Sequence, residues 1–269
     1  WCIAAVPGIA CAKKVFPGVR ASVAVEKLWN AILDASRARG DSLANWDKHN
    51  ENVKKKCAYL NSLKIRSLHY TADNGTDLTV GMIDRAIFCA GKEISRQGIG
   101  FNPNIPSEEC FITPKRGEAE GIVYSTMPLS YRGQLIENFS LRFEKGKAVE
   151  AKAEKGEELL KTMITMDEGA AYLGECALVP VDSPIAQSGL LFYETLFDEN
   201  ASCHLAMGDG YCDTIEGHHD LTLEECRALG VNESMIHVDF MIGCDSMNID
   251  ALCENGETVR IFENGNWAF

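Results

Sequence analysis

The sequence has no long hydrophobic run and no concentration of basic residues. None of its apolar stretches approaches the roughly 18 residues that a transmembrane helix needs, so we expect no membrane span. The 26 Lys and Arg are outnumbered by 39 Asp and Glu, which gives a net charge of −13. Surfaces that bind nucleic acid or anionic lipid need clustered Lys and Arg. We therefore expect neither nucleic acid nor a membrane as a partner.

Closely spaced cysteine pairs are also missing. The 11 cysteines are scattered singly and their number is odd, whereas a secreted disulfide framework usually has an even number in a short chain. We interpret most of them as small buried hydrophobic residues. This pattern favours a reducing compartment, and we predict a cytoplasmic location.

The sequence further lacks an initiator Met, a signal peptide, an internal repeat and a low-complexity tract. It starts with an apolar segment, residues 1–6, that is typical of a buried strand. This start leads us to expect that an N-terminal portion of the protein precedes the chain.

The order of the patterns predicts a mixed α/β (α+β) fold with a central mixed sheet and flanking helices. The first third contains two amphipathic helices, around residues 25–32 and 46–60, by their helical spacing of apolar residues. A loop at residues 98–106 with two Gly and two Pro separates this part from a β-rich remainder. We divide the chain there into two regions, residues 1–100 and 101–269.

One strand pattern, residues 236–240, suggests a ligand site. Side chains two apart on a strand share a face, so His237 and Asp239 should point the same way while Ile236, Val238 and Phe240 are buried on the other side. An imidazole and a carboxylate placed in this way form half of a metal site. The alternative is a strand that merely has one polar face.

Four further N/O donors occur elsewhere. Glu109 follows the proline-containing loop, Glu175 begins an apolar strand, and Glu199, predicted to lie in a turn, precedes His204 closely enough to share one metal. A set of carboxylates and imidazoles without thiolate is typical of catalytic Zn, Co or Mn and not of structural zinc. Four carboxylates and two imidazoles exceed the needs of one tetrahedral ion and suit two ions with a bridging carboxylate.

Several segments resemble the thermophilic metalloaminopeptidase family, of the aminopeptidase T and aminopeptidase S type. In order along the chain they are residues 104–109, 153–158, 172–175, 182–185, 196–204, 236–243 and 264–268. The resemblance extends over essentially the whole chain, and the blocks 196–204 and 236–243 are the most specific.

The resemblance implies an enzyme that removes N-terminal residues from peptides with a free N-terminus, uses two divalent ions (Zn, Co, Mn or Mg) and forms a homodimer. Residues 101–269 would be the metal-binding catalytic domain, the C-terminal one of two, and residues 1–100 the end of an N-terminal α/β region with connecting helices. By position, Tyr211 would stabilise the oxyanion and Glu175 would bridge the metals. The implied metal ligands are Glu109, Glu175, Glu199, His204, His237 and Asp239.

A general base is also required, and we predict Glu108 for this role. Neighbouring residues on a regular strand face opposite sides, so Glu108 could serve beside Glu109 only if the backbone is irregular there.

Two alternatives stay open. One is a thiol hydrolase that uses Cys203 or Cys110 with a histidine, although the neighbours Cys203 and His204 would point apart. The other is a non-catalytic or inactive fragment that has kept the fold.

Overall fold

A computed structural model describes residues 1–95 and 97–269, and within these ranges the chain forms seven α-helices. The helices are α1 (Ile9–Val15), α2 (Ala21–Ala35), α3 (Ser42–Ser62), α4 (Glu157–Ile164), α5 (Pro184–Ser188), α6 (Thr195–Glu199) and α7 (Leu223–Leu229). No helix of this described part is both long enough and apolar enough to cross a membrane.

The strands of the same described part are numbered in chain order. They are β1 (Ile3–Ala4), β2 (Ile65–Thr71), β3 (Asp77–Met82), β4 (Glu93–Ile94), β5 (Gly100–Phe101), β6 (Asn104–Ile105), β7 (Cys110–Ile112), β8 (Pro114–Tyr124), β9 (Leu129–Tyr131), β10 (Gln134–Glu144), β11 (Lys147–Lys155), β12 (Leu173–Leu178), β13 (His204–Gly208), β14 (His237–Met241), β15 (Asn248–Cys253), β16 (Thr258–Glu263) and β17 (Asn266–Trp267).

Two antiparallel sheets organise the molecule. The larger has the order β11-β10-β8-β3-β2-β15-β16-β17, with β9 added beside β10. The smaller has the order β14-β13-β12-β7. Its two central strands, β12 and β13, are wholly buried, because apolar side chains from both sheets meet in one large core. A covered sheet of this kind is a rigid support for a site.

The N-terminal helices form a second core with the segment that follows β12. Leu28 and Ile32 of α2 pack with Ile185 of α5, with Phe197 of α6 and with Phe192, which precedes α6. The helix α3 instead packs on the main core through Val53, Cys57 and Leu60. Helices α1 and α2 therefore support the segment of the chain that contains Glu199.

The mixed α and β fold class is confirmed, as are the two amphipathic helices. We expected the central sheet to mix parallel and antiparallel strands. This detail is wrong, because every pairing in both large sheets is antiparallel. The division near residue 100 stays a prediction.

Two local predictions also differ from the structure. The N-terminal segment is exposed, with Trp1 and Val6 showing 77% and 76% of their surfaces, because only Ile3–Ala4 pairs, and it pairs with β6 in a separate two-stranded sheet. Glu199, which was predicted to lie in a turn, is the last residue of the helix α6.

Candidate metal centre

One face of the smaller sheet carries polar side chains where apolar ones would be expected. Glu175 of β12 pairs with Ala206 of β13, and Ala206 pairs with Asp239 of β14. Directly paired residues share a face of the sheet, so the two carboxylates flank only an alanine methyl group. His204 and His237 lie two residues before Ala206 and Asp239 on their strands and share the same face.

The side-chain atoms on this face come within a few ångströms of one another. Glu109, which immediately precedes β7, places its Oε2 3.1 Å from His204 Nε2. His237 Nε2 lies 3.1 Å from Glu175 Oε2 and 3.3 Å from Asp239 Oδ1. Two groups of three donors result, and the donor atoms within each group lie within 4.8 Å of one another. The groups are Glu109, Glu175 and His204, and Glu175, His237 and Asp239, so Glu175 belongs to both.

Both imidazoles are oriented by backbone carbonyl groups. His204 Nδ1 is 3.2 Å from the carbonyl oxygen of Ser202, and His237 Nδ1 is 2.7 Å from that of Asp209. A carbonyl oxygen only accepts, so each Nδ1 is assigned the hydrogen and each Nε2 faces the carboxylates. Histidines that bind metals in proteins are held in this way.

Crowding of carboxylates in a buried place perturbs their protonation. Burial raises the pKa of Glu175 to about 7. The pKa of Glu199 is raised well above its usual value, first by burial and then by the negative charges of Asp239 and Glu109. Uncompensated carboxylates therefore favour the neutral form here.

The imidazoles respond in the opposite sense to the same field. Burial alone would lower the pKa of His204, but the contact with Glu109 outweighs it and raises the pKa to about 9. In His237 burial is likewise outweighed by Asp239 and Glu175, and the pKa rises to about 11. The carboxylates of the site therefore stabilise positive charge on the two imidazoles.

A metal ion fits this donor set. Oδ1 of Asp239 is buried and accepts no hydrogen bond within the described residues, since the approach of His237 Nε2 lacks hydrogen-bond geometry. Burial would raise the pKa of Asp239, but its contacts, first with His237, outweigh this effect and lower the pKa. A charged, buried oxygen without a donor is costly, and a divalent cation would satisfy it.

Glu199 lies beside these two groups and not within either of them. It is the final residue of α6, and its carboxylate contacts that of Asp239. The next residue, Asn200, is fully buried, donates Nδ2–H to the Leu196 carbonyl at 2.9 Å and accepts the Glu108 N–H at 2.6 Å. The structure thus brings all six predicted ligands to one place, five of them in the two donor groups.

Tyr211 reaches the same site from the loop after β13. Its hydroxyl oxygen is 3.1 Å from His237 Nε2. Burial and the carboxylates, Glu175 foremost, raise the pKa of Tyr211, so the phenol keeps its proton and can donate it in a hydrogen bond.

Thr113 fixes this tyrosine and was not predicted from the sequence. The buried Thr113 hydroxyl accepts the Tyr211 N–H at 3.0 Å and lies 3.1 Å from the Tyr211 carbonyl oxygen, to which it donates. A Cβ atom on Gly210 would come within 2.8 Å of the Thr113 methyl group, so glycine permits this close approach. The two partners are 98 positions apart, and no local pattern marks such a pair.

Glu108 points away from the cluster. Its two carboxylate oxygens pair with the Arg37 guanidinium, with Nη2 2.6 Å from Oε2. It lines a cavity of about 330 Å³ together with Arg37, His49 and Lys56. The predicted role of Glu108 as general base stays a prediction.

The geometry does not favour the cysteine alternative. Cys203 is buried, and burial raises its pKa to about 12. The pKa of Cys110 is also raised well above its usual value, first by its contact with Cys57 and then by burial. A nucleophilic cysteine needs a thiolate and some exposure, and these two thiols have neither.

The fold and the site together define an α/β protein whose smaller sheet supports a buried carboxylate and imidazole centre suited to divalent metal. The profile of the thermophilic metalloprotease family (M29) matches residues 1–267, and the chain belongs to this family.

Individual relatives agree with this assignment. Aminopeptidase AmpS of Bacillus subtilis (strain 168) is 46% identical over 100% of this chain and 66% of its own length. Aminopeptidase T of Thermus aquaticus is 46% identical over 95% of this chain and 62% of its own. The solved structure of wild-type AmpT from Thermus thermophilus superposes with a TM-score of 0.92 at 42% identity, over 100% of this chain and 65% of that one. The chain thus spans slightly less than two thirds of the length of these relatives.

Proposed function

We propose that this protein is a metalloaminopeptidase that holds two divalent ions and hydrolyses the first peptide bond of peptides with a free N-terminus. One observation carries the proposal: two groups of three donors share Glu175 as a common member. Membership of a metalloprotease family and similarity to proteins named aminopeptidases support it.

The six ligands would be divided between the two ions, with Glu175 between them. Glu109 and His204 belong to one side, His237 and Asp239 to the other, and Glu199 lies against Asp239. When bound, divalent ions of this kind lower the pKa of water toward neutrality and polarise carbonyl groups. The N/O donor set suits Zn, Co, Mn or Mg, and not a closed thiolate site.

Tyr211 would stabilise the charge that develops on the scissile carbonyl oxygen. Its hydroxyl lies beside His237 at the less buried side of the cluster, where a substrate can approach. A preorganised donor aimed at a developing oxyanion is among the largest single contributions to catalysis.

The less buried side of the cluster would also select the free amino terminus. The amino group would bind there, to a carboxylate or to a metal ion, and its binding would align only the first peptide bond with Tyr211. An N-acetylated peptide lacks a free amino group and should not bind productively.

Proton transfer is the part of the mechanism for which Glu108 was predicted. In that role, its carboxylate would accept a proton from the attacking water and pass it to the leaving amine. The carboxylate would first have to leave Arg37. A homodimeric assembly and a cytoplasmic location complete the proposal.

The test uses the full protein and a pair of matched peptides, one with a free and one with an acetylated N-terminus. After addition of Zn²⁺, Co²⁺ or Mn²⁺, we expect release of the first residue from the free peptide only. A chelator should abolish release, re-addition of metal should restore it, and a thiol-alkylating agent should leave it unchanged. Absence of release with every metal would contradict the proposed activity and favour an inactive member of the family.

A further inference from the structure

The segment formed by Ser107, Glu108 and Glu109 is fixed from three sides. His49 of α3 donates Nε2–H to the Ser107 carbonyl at 2.7 Å. Asn200, which follows α6, accepts the Glu108 N–H at 2.6 Å. The third contact is the ion pair of the Glu108 carboxylate with Arg37. Three separate elements therefore meet on the residues that lead into Glu109.

The ion pair is bidentate and largely buried. The side chains of Arg37 and Glu108 expose 21% and 6% of their surfaces, so solvent screens the pair weakly. A planar guanidinium that matches both carboxylate oxygens fixes the orientation as well as the position of the carboxylate. Arg37 itself lies just beyond α2 with a φ of 53°, a left-handed conformation that is uncommon for residues other than glycine.

The pair lies directly beside Glu109 in the chain, and the two glutamates face different ways. Consecutive residues of an extended chain face opposite sides: Glu108 faces Arg37 and the cavity, while Glu109 faces His204, with 3.1 Å between Oε2 and Nε2. Because the two glutamates share one peptide unit, a rotation of the Glu108 backbone would turn the Glu109 carboxylate out of the cluster.

The same geometry opposes proton transfer by Glu108. Both of its oxygens are occupied by Arg37, and its side chain lies on the opposite side of the chain from the donor atoms. To accept a proton from water at the cluster, Glu108 would have to break two charge-assisted hydrogen bonds and exchange faces with Glu109.

We propose that Glu108 is a positioning residue and not the general base, and that Arg37 acts through Glu108 to aim Glu109 at the metal. This inference rests on the proposed function for the role of Glu109 as a ligand. It replaces the role that the sequence suggested for Glu108.

The test is a double-mutant cycle in the full protein with Arg37→Gln, Glu108→Gln and the double variant. Zn²⁺ affinity is measured by chelator competition, and kcat and KM are measured separately. The control is Arg39→Gln, because Arg39 is exposed and pairs with Asp34 and Asn30. Thermal unfolding of each variant verifies that it is folded.

Positioning predicts that either single change weakens Zn²⁺ binding by about tenfold, the size typical of groups that orient metal ligands. Losses in kcat should be similar in both single variants, with KM little changed. The double variant should be no worse than either single one, since both remove the same interaction. The control should behave as wild type.

Two results would overturn the inference. One is a loss of kcat confined to Glu108→Gln, with Arg37→Gln active and Zn²⁺ affinity intact in both, as a general base would give. The other is wild-type Zn²⁺ affinity and kcat in all variants. If the wild-type protein releases no residue, the proposed function fails, and the Zn²⁺ affinities still decide the positioning role.

Should Glu108→Gln fail to fold, Arg37→Gln and the conservative Arg37→Lys decide the question. Positioning predicts weakened Zn²⁺ binding in Arg37→Gln and partial recovery in Arg37→Lys, which keeps the charge but not the bidentate contact. Unchanged Zn²⁺ binding in Arg37→Gln would contradict the role.

Discussion

The two donor groups of the candidate metal centre, its inner and outer halves, differ in their access to solvent. In the inner half, the side chains of His204 and Glu109 expose 1% and 9% of their surfaces, while in the outer half those of His237 and Asp239 expose 21% and 11%. Tyr211 stands at the outer half only. Under the proposed function, we expect the more buried inner half to hold its ion more firmly and the outer half to contact the substrate.

The supports of the two halves differ in the same way. The inner half is fixed by the buried connection between α6 and β13, through Asn200 and the carbonyl of Ser202. The outer half depends on a loop. The carbonyl of Asp209 holds His237, and the Thr113 hydroxyl forms hydrogen bonds with the backbone of Tyr211. Loops on a rigid scaffold are common positions for residues that contact substrates.

Glu175 is the residue that joins the halves, and its loss should have the largest effect. In Glu175→Gln we expect binding of both ions to weaken and turnover to fall by at least about 100-fold, more than the removal of an orienting group causes. Metal analysis and kinetics would measure this. Loss of only one ion with the other at wild-type affinity would show that Glu175 does not bridge the halves.

Tyr211→Phe should damage the outer half without disturbing the metal. Because it removes one donor to the oxyanion, we expect kcat to fall by about 100-fold, with both ions still bound and KM little changed. Steady-state kinetics and metal content would be measured on the same preparation. A normal kcat would exclude the hydroxyl from the reaction.

Thr113 offers a finer test of the loop. The substitution Thr113→Val removes the two hydrogen bonds to the backbone of Tyr211 and leaves the side-chain volume nearly constant. We expect kcat to drop by about tenfold, which is within the range for groups that orient other residues. Thr113→Ser, which keeps the hydroxyl, should retain most of the activity. Equal losses in the two variants would show that packing of the methyl group matters more than the hydrogen bonds.

The smallest effect should be on the stability of the metal-free protein as a function of pH. The pKa values of Glu175 and His204 are raised in the folded state, to about 7 and about 9. A raised pKa contributes stability at low pH that is lost as the pH rises through the folded value. The free energy of unfolding should therefore fall from about pH 5 to 9.

Urea denaturation of the metal-free and metal-loaded protein would measure this trend. The metal-loaded protein should show a weaker slope, because bound ions replace the protons. A metal-free protein whose stability rises over the same interval would contradict the assignment of these shifts.

Local patterns predicted the parts of the site that lie on single strands. The alternation of residues 236–240 placed His237 and Asp239 on one face, and the structure has them there, with His237 Nε2 and Asp239 Oδ1 3.3 Å apart. The adjacency of Glu175 and Asp239 across Ala206 depends on the register of three strands. Spacing along the chain does not contain that register, and the family resemblance implied only that both residues bind metal.

The supporting residues could not be predicted, since their contacts join distant parts of the chain. Arg37 and Glu108 are 71 positions apart, and Asn200 and Glu108 are 92 apart. An arginine after a helix and an asparagine after another are ordinary residues in isolation. The wrong prediction of a buried strand at residues 1–6 has a similar origin. An apolar hexapeptide has the pattern of a buried strand whether or not the rest of the fold covers it.

The central claim is that Glu175 joins two ions in one site. The most direct test is a crystal of the full protein soaked in Zn²⁺, with anomalous diffraction recorded on both sides of the zinc edge. We predict two anomalous peaks per chain, one beside Glu109 and His204 and one beside His237 and Asp239, with a carboxylate oxygen of Glu175 bound to each. A single peak, or two peaks of which Glu175 contacts only one, would contradict the account.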